Sequence, residues 1–179
     1  MPLWDIHSSP AFFSNQDKQD LATSFTRIYT ERGGLPAFYV RVRFTEDAPS
    51  SSFSGGSKND NFVHIQIWHL ARVFRSNNHR DAFLNLVDGV LNPVMRHKGA
   101  DWEYTVNESP RDLWKINGLV PPAAGSEMEK KWVEMNRPAV PKSSASVAQI
   151  ESIGTKLNKT DLQNNYIVGY IHQALDYIH

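Results

Sequence analysis

The sequence predicts an α/β domain of two tandem β-α-β units that form a four-stranded mixed sheet with two helices on one face, followed by a C-terminal helical extension. Three observations carry this reading. The order strand, helix, strand occurs twice between Leu3 and Val106. Both intervening segments place apolar residues at the spacing of an amphipathic helix. A strand that returns through a helix to a second strand of the same sheet pairs in parallel by a right-handed crossover. Two units of the same order with little sequence identity read as an internal duplication.

The first strand is the extended run Leu3 to Ser8, and Pro2 is tolerated there because proline fits best at the start of a strand. Ser14 with Asp17 matches a helix N-cap; Leu21, Phe25, Ile28 and Tyr29 then recur at helical spacing until Gly33 and Gly34 stop the helix. In Phe38 to Phe44, Phe38, Val40, Val42 and Phe44 alternate with Tyr39, Arg41 and Arg43, which predicts a second strand with one buried face. Residues Thr45 to Asn61, centred on Gly55-Gly56, read as a loop between the units. The third strand is Phe62 to Leu70, with Val63, Ile65 and Ile67 on one face and His64, Gln66 and Trp68 on the other. Asn77 or Asn78 is the expected cap of a second helix whose stripe runs Ala82, Phe83, Leu86, Val87, Val90, Leu91 and Val94. Pro93 should kink that helix or end it early. Trp102 to Val106 is the fourth strand.

Beyond it the reading is a domain over residues 2–136, a linker over 137–154 and an amphipathic helix over 155–179. Leu113 to Leu119 and Glu127 to Asn136 are expected as short helical turns, and Pro138 to Gln149 is rich in Pro, Ala and Ser. Leu162, Tyr166, Ile167, Tyr170, Ile171, Ala174, Leu175 and Ile178 mark the last helix. It packs either on a neighbouring subunit or back on its own domain.

The 179 residues include 40% hydrophobic and 21% charged side chains, enough for a sizeable core without disulfides or metals. Nineteen basic and nineteen acidic residues leave no net field, which argues against nucleic acid or an anionic membrane as partner. With no cysteine there is no thiolate nucleophile and no Cys-containing zinc site. His64 and His69 are separated by an odd number within one strand, face opposite sides and cannot chelate one metal. No phosphate loop, serine-hydrolase elbow or dinucleotide fingerprint is present, so no cofactor is expected. The N-terminus carries neither a basic signal region nor a long apolar core, which points to the cytoplasm and makes the sequons at Asn107 and Asn158 irrelevant.

Six segments carry a resemblance: Met1-Pro2, Ala37-Phe38-Tyr39-Val40, Phe53-Ser54-Gly55-Gly56, Arg72 and Arg75 before Ser76, Trp102-Glu103-Tyr104, and Asn117-Gly118-Leu119-Val120-Pro121. Over residues 2–136 the chain resembles the tautomerase superfamily, within it the cis-3-chloroacrylic acid dehalogenase-like group and its fungal relatives of the oxalocrotonate tautomerase type. The resemblance implies a trimer of fused units with an active site around an N-terminal proline.

It also implies roles. Pro2, exposed as a secondary amine by loss of Met1, would be catalytic base or acid; a nearby cation or an apolar pocket lowers its pKa and leaves it neutral. Arg72 and Arg75 would tune it and converge on a substrate carboxylate by bidentate hydrogen bonds. Tyr104 would donate to a developing enolate oxygen. Tyr29 stands where the dehalogenase carries a substrate-binding histidine, and Asn117 would orient a substrate group. By their own chemistry these residues also read as a strand-opening proline, a solvated basic turn, a half-buried strand tyrosine and a core tyrosine. Where the dehalogenase has a water-activating glutamate, this chain reads Trp114-Lys115-Ile116-Asn117-Gly118. Hydration needs a base for water, whereas tautomerisation does not. The functions expected are therefore a cofactor-independent tautomerase acting on a small 2-keto or enol carboxylate, a cis-3-haloacrylate-type hydratase or dehalogenase, or a catalytically silent trimeric scaffold.

Overall fold

A computed structural model describes residues 2–139, which fall within one compact unit ending at Ala139. The rest of the expected linker and the helix expected at 155–179 lie outside the described residues. In chain order the elements are β1 (Leu3–Ser8), α1 (Asn15–Arg27), β2 (Arg41–Glu46), β3 (Phe53–Ser54), β4 (Ser57–Lys58), β5 (Phe62–His69), α2 (Asn77–Lys98), β6 (Asp101–Glu108) and α3 (Glu127–Met135). The main sheet runs β2-β1-β5-β6. β1 and β2 are parallel, as are β5 and β6, and the antiparallel β1·β5 seam joins the two β-α-β units. This is the mixed four-stranded sheet that the repeated order predicts.

Alternation decides which face is covered. On β1, Trp4, Ile6 and Ser8 are buried, and on β5 Val63, Ile65, Ile67 and His69. The register sets Trp4 across from Ile67 and Ile6 across from Ile65. Leu21 and Phe25 of α1 and Phe83, Val87, Leu91 and Met95 of α2 share one buried cluster with them. Trp4 stacks on Phe25 at 3.8 Å between ring centroids. Full burial of each such side chain contributes about 1.5–3 kcal/mol. The opposite face is polar: Arg43 bonds Asp5 and His64 bonds Glu103.

Local chemistry explains the boundaries, including those that depart from expectation. Ser14 and Asp17 close a capping box on α1, and a π-helical turn over Ile28–Arg32 carries the helix on towards Gly33. The second strand begins at Arg41 and not at Phe38, because Ala37–Tyr39 form a 3₁₀ turn behind Pro36; Tyr39 is therefore the buried residue there. Ser76, not Asn77 or Asn78, caps α2, its hydroxyl accepting from the His79 N–H. Pro93 neither ends α2 nor shortens it. The hydrogen bond it removes is to the carbonyl of Gly89, and both residues are exposed, so water can satisfy that carbonyl. Leu113–Leu119 is not a helical turn: after a 3₁₀ turn over Arg111–Leu113, Ile116 and Leu119 exchange backbone hydrogen bonds around Asn117 and Gly118, both at positive φ. That is the Asn-Gly hairpin turn.

Candidate functional site

One end of the sheet collects the start of β1, the start of β2, the end of β5 and the end of β6, because β1 and β5 run antiparallel while each pairs in parallel with its outer neighbour. Pro2 lies at this end. It is buried, and its carbonyl accepts from the Arg41 N–H at 2.8 Å. Leu3 pairs with Trp68, so Pro2 stands one step further along the same seam, opposite His69. By alternation both fall on the face that buries Trp4 and Ile67.

The chain leaving β5 helps to line two cavities that share Arg72. A cleft of about 600 Å³ is lined by Arg32, Arg72, Arg75 and Arg111 with His79 and Leu70. Guanidinium groups are chemically suited to a small anion. The four here are not equivalent. Arg72 grips the buried Glu129 of α3 with two bonds, at 3.0 and 3.1 Å, and also donates to the carbonyls of Ala71 and Gly33. Four of its five N–H donors are thereby engaged. Glu129 is 4% exposed and also accepts from the Gly125 N–H at 2.7 Å. Arg111 donates to the Pro121 carbonyl. Arg75 offers its backbone N–H to His79 Nδ1, and its guanidinium has no partner among the described residues. The expected pair therefore divides: Arg75 is available to a ligand, whereas Arg72 already holds an internal carboxylate.

A second cavity of about 420 Å³ lies beside the first and shares Arg32, Gly33, Arg72 and His79 with it. Tyr29, His69, Phe74 and Phe83 supply its aromatic wall. Tyr29 is buried and its hydroxyl lies 3.4 Å from His69 Nδ1; burial pushes that phenol well above its ordinary range. His69 is 5% exposed, stacks flat on Phe74 and has no partner at Nε2 among the described residues. Burial pushes it down to about 4, so it is uncharged at neutral pH.

Two expected site residues line neither of these cavities. Tyr104 pairs with Ile65 in mid-sheet and donates to Asp88 of α2 at 3.0 Å; burial and that hydrogen bond push it up to about 12. Asn117 lines a third cleft, of about 410 Å³, with Leu3, Arg41, Trp68 and Leu70, and its positive φ also makes it a turn residue. Sequence reasoning passed over His69 and Glu129. His69 was visible as the polar residue on the buried phase of β5, and Ser126-x-x-Glu129 has the spacing of a capping box. The Glu129 side chain turns instead to Arg72, a partner no local pattern announces.

The family model described as "Putative oxalocrotonate tautomerase enzyme" matches residues 1–137. A solved structure of "a probable enzyme from the thermophilic fungus Aspergillus fumigatus" is 51% identical, covers 78% of this chain and 97% of its own, and superposes with a TM-score of 0.75. Native RhCC from Rhodococcus jostii RHA1 is 37% identical, with 78% of this chain and 99% of its own covered and a TM-score of 0.75. A member of the cis-3-chloroacrylic acid dehalogenase family, N1, shares the fold at 19% identity and a TM-score of 0.60, over 75% of this chain and 98% of its own. No curated protein matches the chain. With the match spanning nearly all of the described residues, the chain belongs to the oxalocrotonate tautomerase type of family that this model defines.

Proposed function

We propose that this chain is a cofactor-independent tautomerase that moves a proton on a small 2-keto or enol carboxylate, with Pro2 as general base and acid. The observation that carries the reading is the burial of Pro2 at the sheet end from which Leu70 and Arg72 continue into a cleft walled by four arginines. With Met1 removed, the Pro2 nitrogen is a secondary amine, and the positive charge of the cleft together with burial favours its neutral form. Arg75 binds the substrate carboxylate, and Arg72, held by Glu129, contributes its charge and its remaining N–H. During ketonisation the 2-hydroxyl loses its proton, C3 gains one, the C2–C3 double bond becomes single and C2–O becomes double. The neutral amine takes the proton from the 2-hydroxyl and, as the prolinium so formed, delivers it to C3, which returns the amine to its starting state. The homotrimer and the cytoplasmic location belong to the same proposal; among the described residues no helix is long and apolar enough to cross a membrane.

Hydration or dehalogenation is disfavoured because the stretch Trp114-Lys115-Ile116-Asn117-Gly118 supplies no carboxylate where the dehalogenase carries its water-activating glutamate. Glu129, the buried carboxylate beside this cleft, has both oxygens occupied. The test is the intact mass of the purified chain, followed by ketonisation of phenylenolpyruvate and 2-hydroxymuconate and chloride release from cis-3-chloroacrylate. The expected result is a chain lacking one methionine, with ketonisation and little or no chloride. Chloride release at a comparable rate would establish the hydratase reading, and a chain that lacks Met1 yet turns over none of these acids would favour the scaffold.

A further inference from the structure

We propose that His69, through its Nε2–H, is the hydrogen-bond donor to the amine nitrogen of Pro2 and is thus a positioning residue for the base. The proposal rests on the reading that Pro2 carries a free amine. Four observations converge on it. The antiparallel register ends at Leu3 across from Trp68; carried one residue further it sets Pro2 opposite His69, and both residues are buried. The imidazole is fixed: it lies flat on Phe74, with ring centroids 4.5 Å apart, and Nδ1 faces the Tyr29 hydroxyl. A phenol is the better donor of that pair, so Nδ1 accepts and the ring hydrogen sits on Nε2. Nε2 is then a buried donor with no acceptor among the described residues. Buried donors are rarely left unpaired, because desolvation without a bond is costly.

The missing acceptor is explained by the chemistry of Pro2. While Met1 is attached, the Pro2 nitrogen is an amide whose lone pair is delocalised; once Met1 is removed, the nitrogen carries a lone pair that can accept. Donation from a neutral imidazole favours the free amine over the ammonium, which keeps Pro2 a base. The charge state fits, since burial holds His69 neutral down to about pH 4. The groups facing the ring are Tyr29 at the end of the first helix, Glu108 at the end of β6, His79 on α2 and Arg72 beyond β5. Glu108 opposes burial, and His79 and Arg72 reinforce it. Tyr29 thereby orients the His69 ring.

The experiment titrates the Pro2 amine by ¹⁵N NMR in the full chain, in wild type, His69→Phe and His69→Gln. His69→Phe is expected to raise the Pro2 pKa by about one unit, the size of one net hydrogen bond. His69→Gln, which keeps an N–H, should restore part of it. The acid limb of kcat/KM for phenylenolpyruvate should move with the titration. An unchanged Pro2 pKa in His69→Phe, or a retained Met1, overturns the proposal. Should either variant fail to fold, ¹⁵N-histidine spectra of the wild type decide it: a hydrogen on Nε2 supports the assignment, and one on Nδ1 overturns it. A Pro2 pKa that responds to His69 in a protein without turnover would sink the tautomerase reading alone.

Discussion

Arg72 and Arg75 are three residues apart, and their different surroundings set different work. Arg72→Ala strands Glu129 as a buried carboxylate that has lost its counter-charge, which costs about 3–5 kcal/mol. We expect a large fall in the urea midpoint for this variant, and a smaller one when Glu129→Leu accompanies Arg72→Met. Arg75→Ala removes a guanidinium that supports no contact among the described residues, so stability should stay within about 0.5 kcal/mol of wild type. Its kcat/KM for an acidic enol should nevertheless fall by about tenfold or more, the worth of a charge-assisted bond. Lysine at 75 should restore the charge but not the planar fork, leaving part of the deficit. Equal kinetics in Arg75→Ala and wild type would show that the carboxylate binds elsewhere.

At the level of elements, the ends of the helices carry the pH dependence. Asp17 sits in the first turn of α1, and the Lys98 ammonium of α2, with the Ser14 backbone N–H, pulls it from 3.8 down to about 2. A depressed folded pKa contributes stability above the unfolded value and loses it as pH falls through the folded one. Asp17→Asn should therefore lower the unfolding temperature at neutral pH, with the difference from wild type closing between about pH 4 and pH 2. At Gly118, φ is +80° in the turn after Asn117, so Gly118→Ala should destabilise by about 1 kcal/mol. The elements that could be read in the sequence were those whose signal is local: the alternation of Val63, Ile65 and Ile67, the stripe of α2, and the Ser14–Asp17 cap. Those misread turned on competition between local signals. Pro36 tightened the chain before β2, Ser76 outbid two asparagines as a cap, and an Asn-Gly turn was taken for helix. The site followed the same rule. Pro2 and the arginines stood out by type and spacing, whereas the Arg72–Glu129 pair spans 57 residues of sequence and needs the folded chain to exist.

On the scale of the whole molecule, the described residues close their own core, from Trp4 through Trp132, whose indole donates to the Ala139 carbonyl. A chain ending at Ala139 should thus unfold cooperatively near the full chain's temperature, and non-cooperative melting would make the remaining residues part of the core. The full chain is expected to scatter light as a trimer; a monomer mass would refute the assembly proposed. The central claim is that the amine of Pro2 carries the proton. The most direct measurement compares ketonisation of phenylenolpyruvate by the processed wild type and by Pro2→Ala across pH. The account predicts that Pro2→Ala lowers kcat/KM by at least about a hundredfold, the usual contribution of a general base, and loses the acid limb set by the prolinium. Equal rates and equal pH profiles in the two proteins would contradict it.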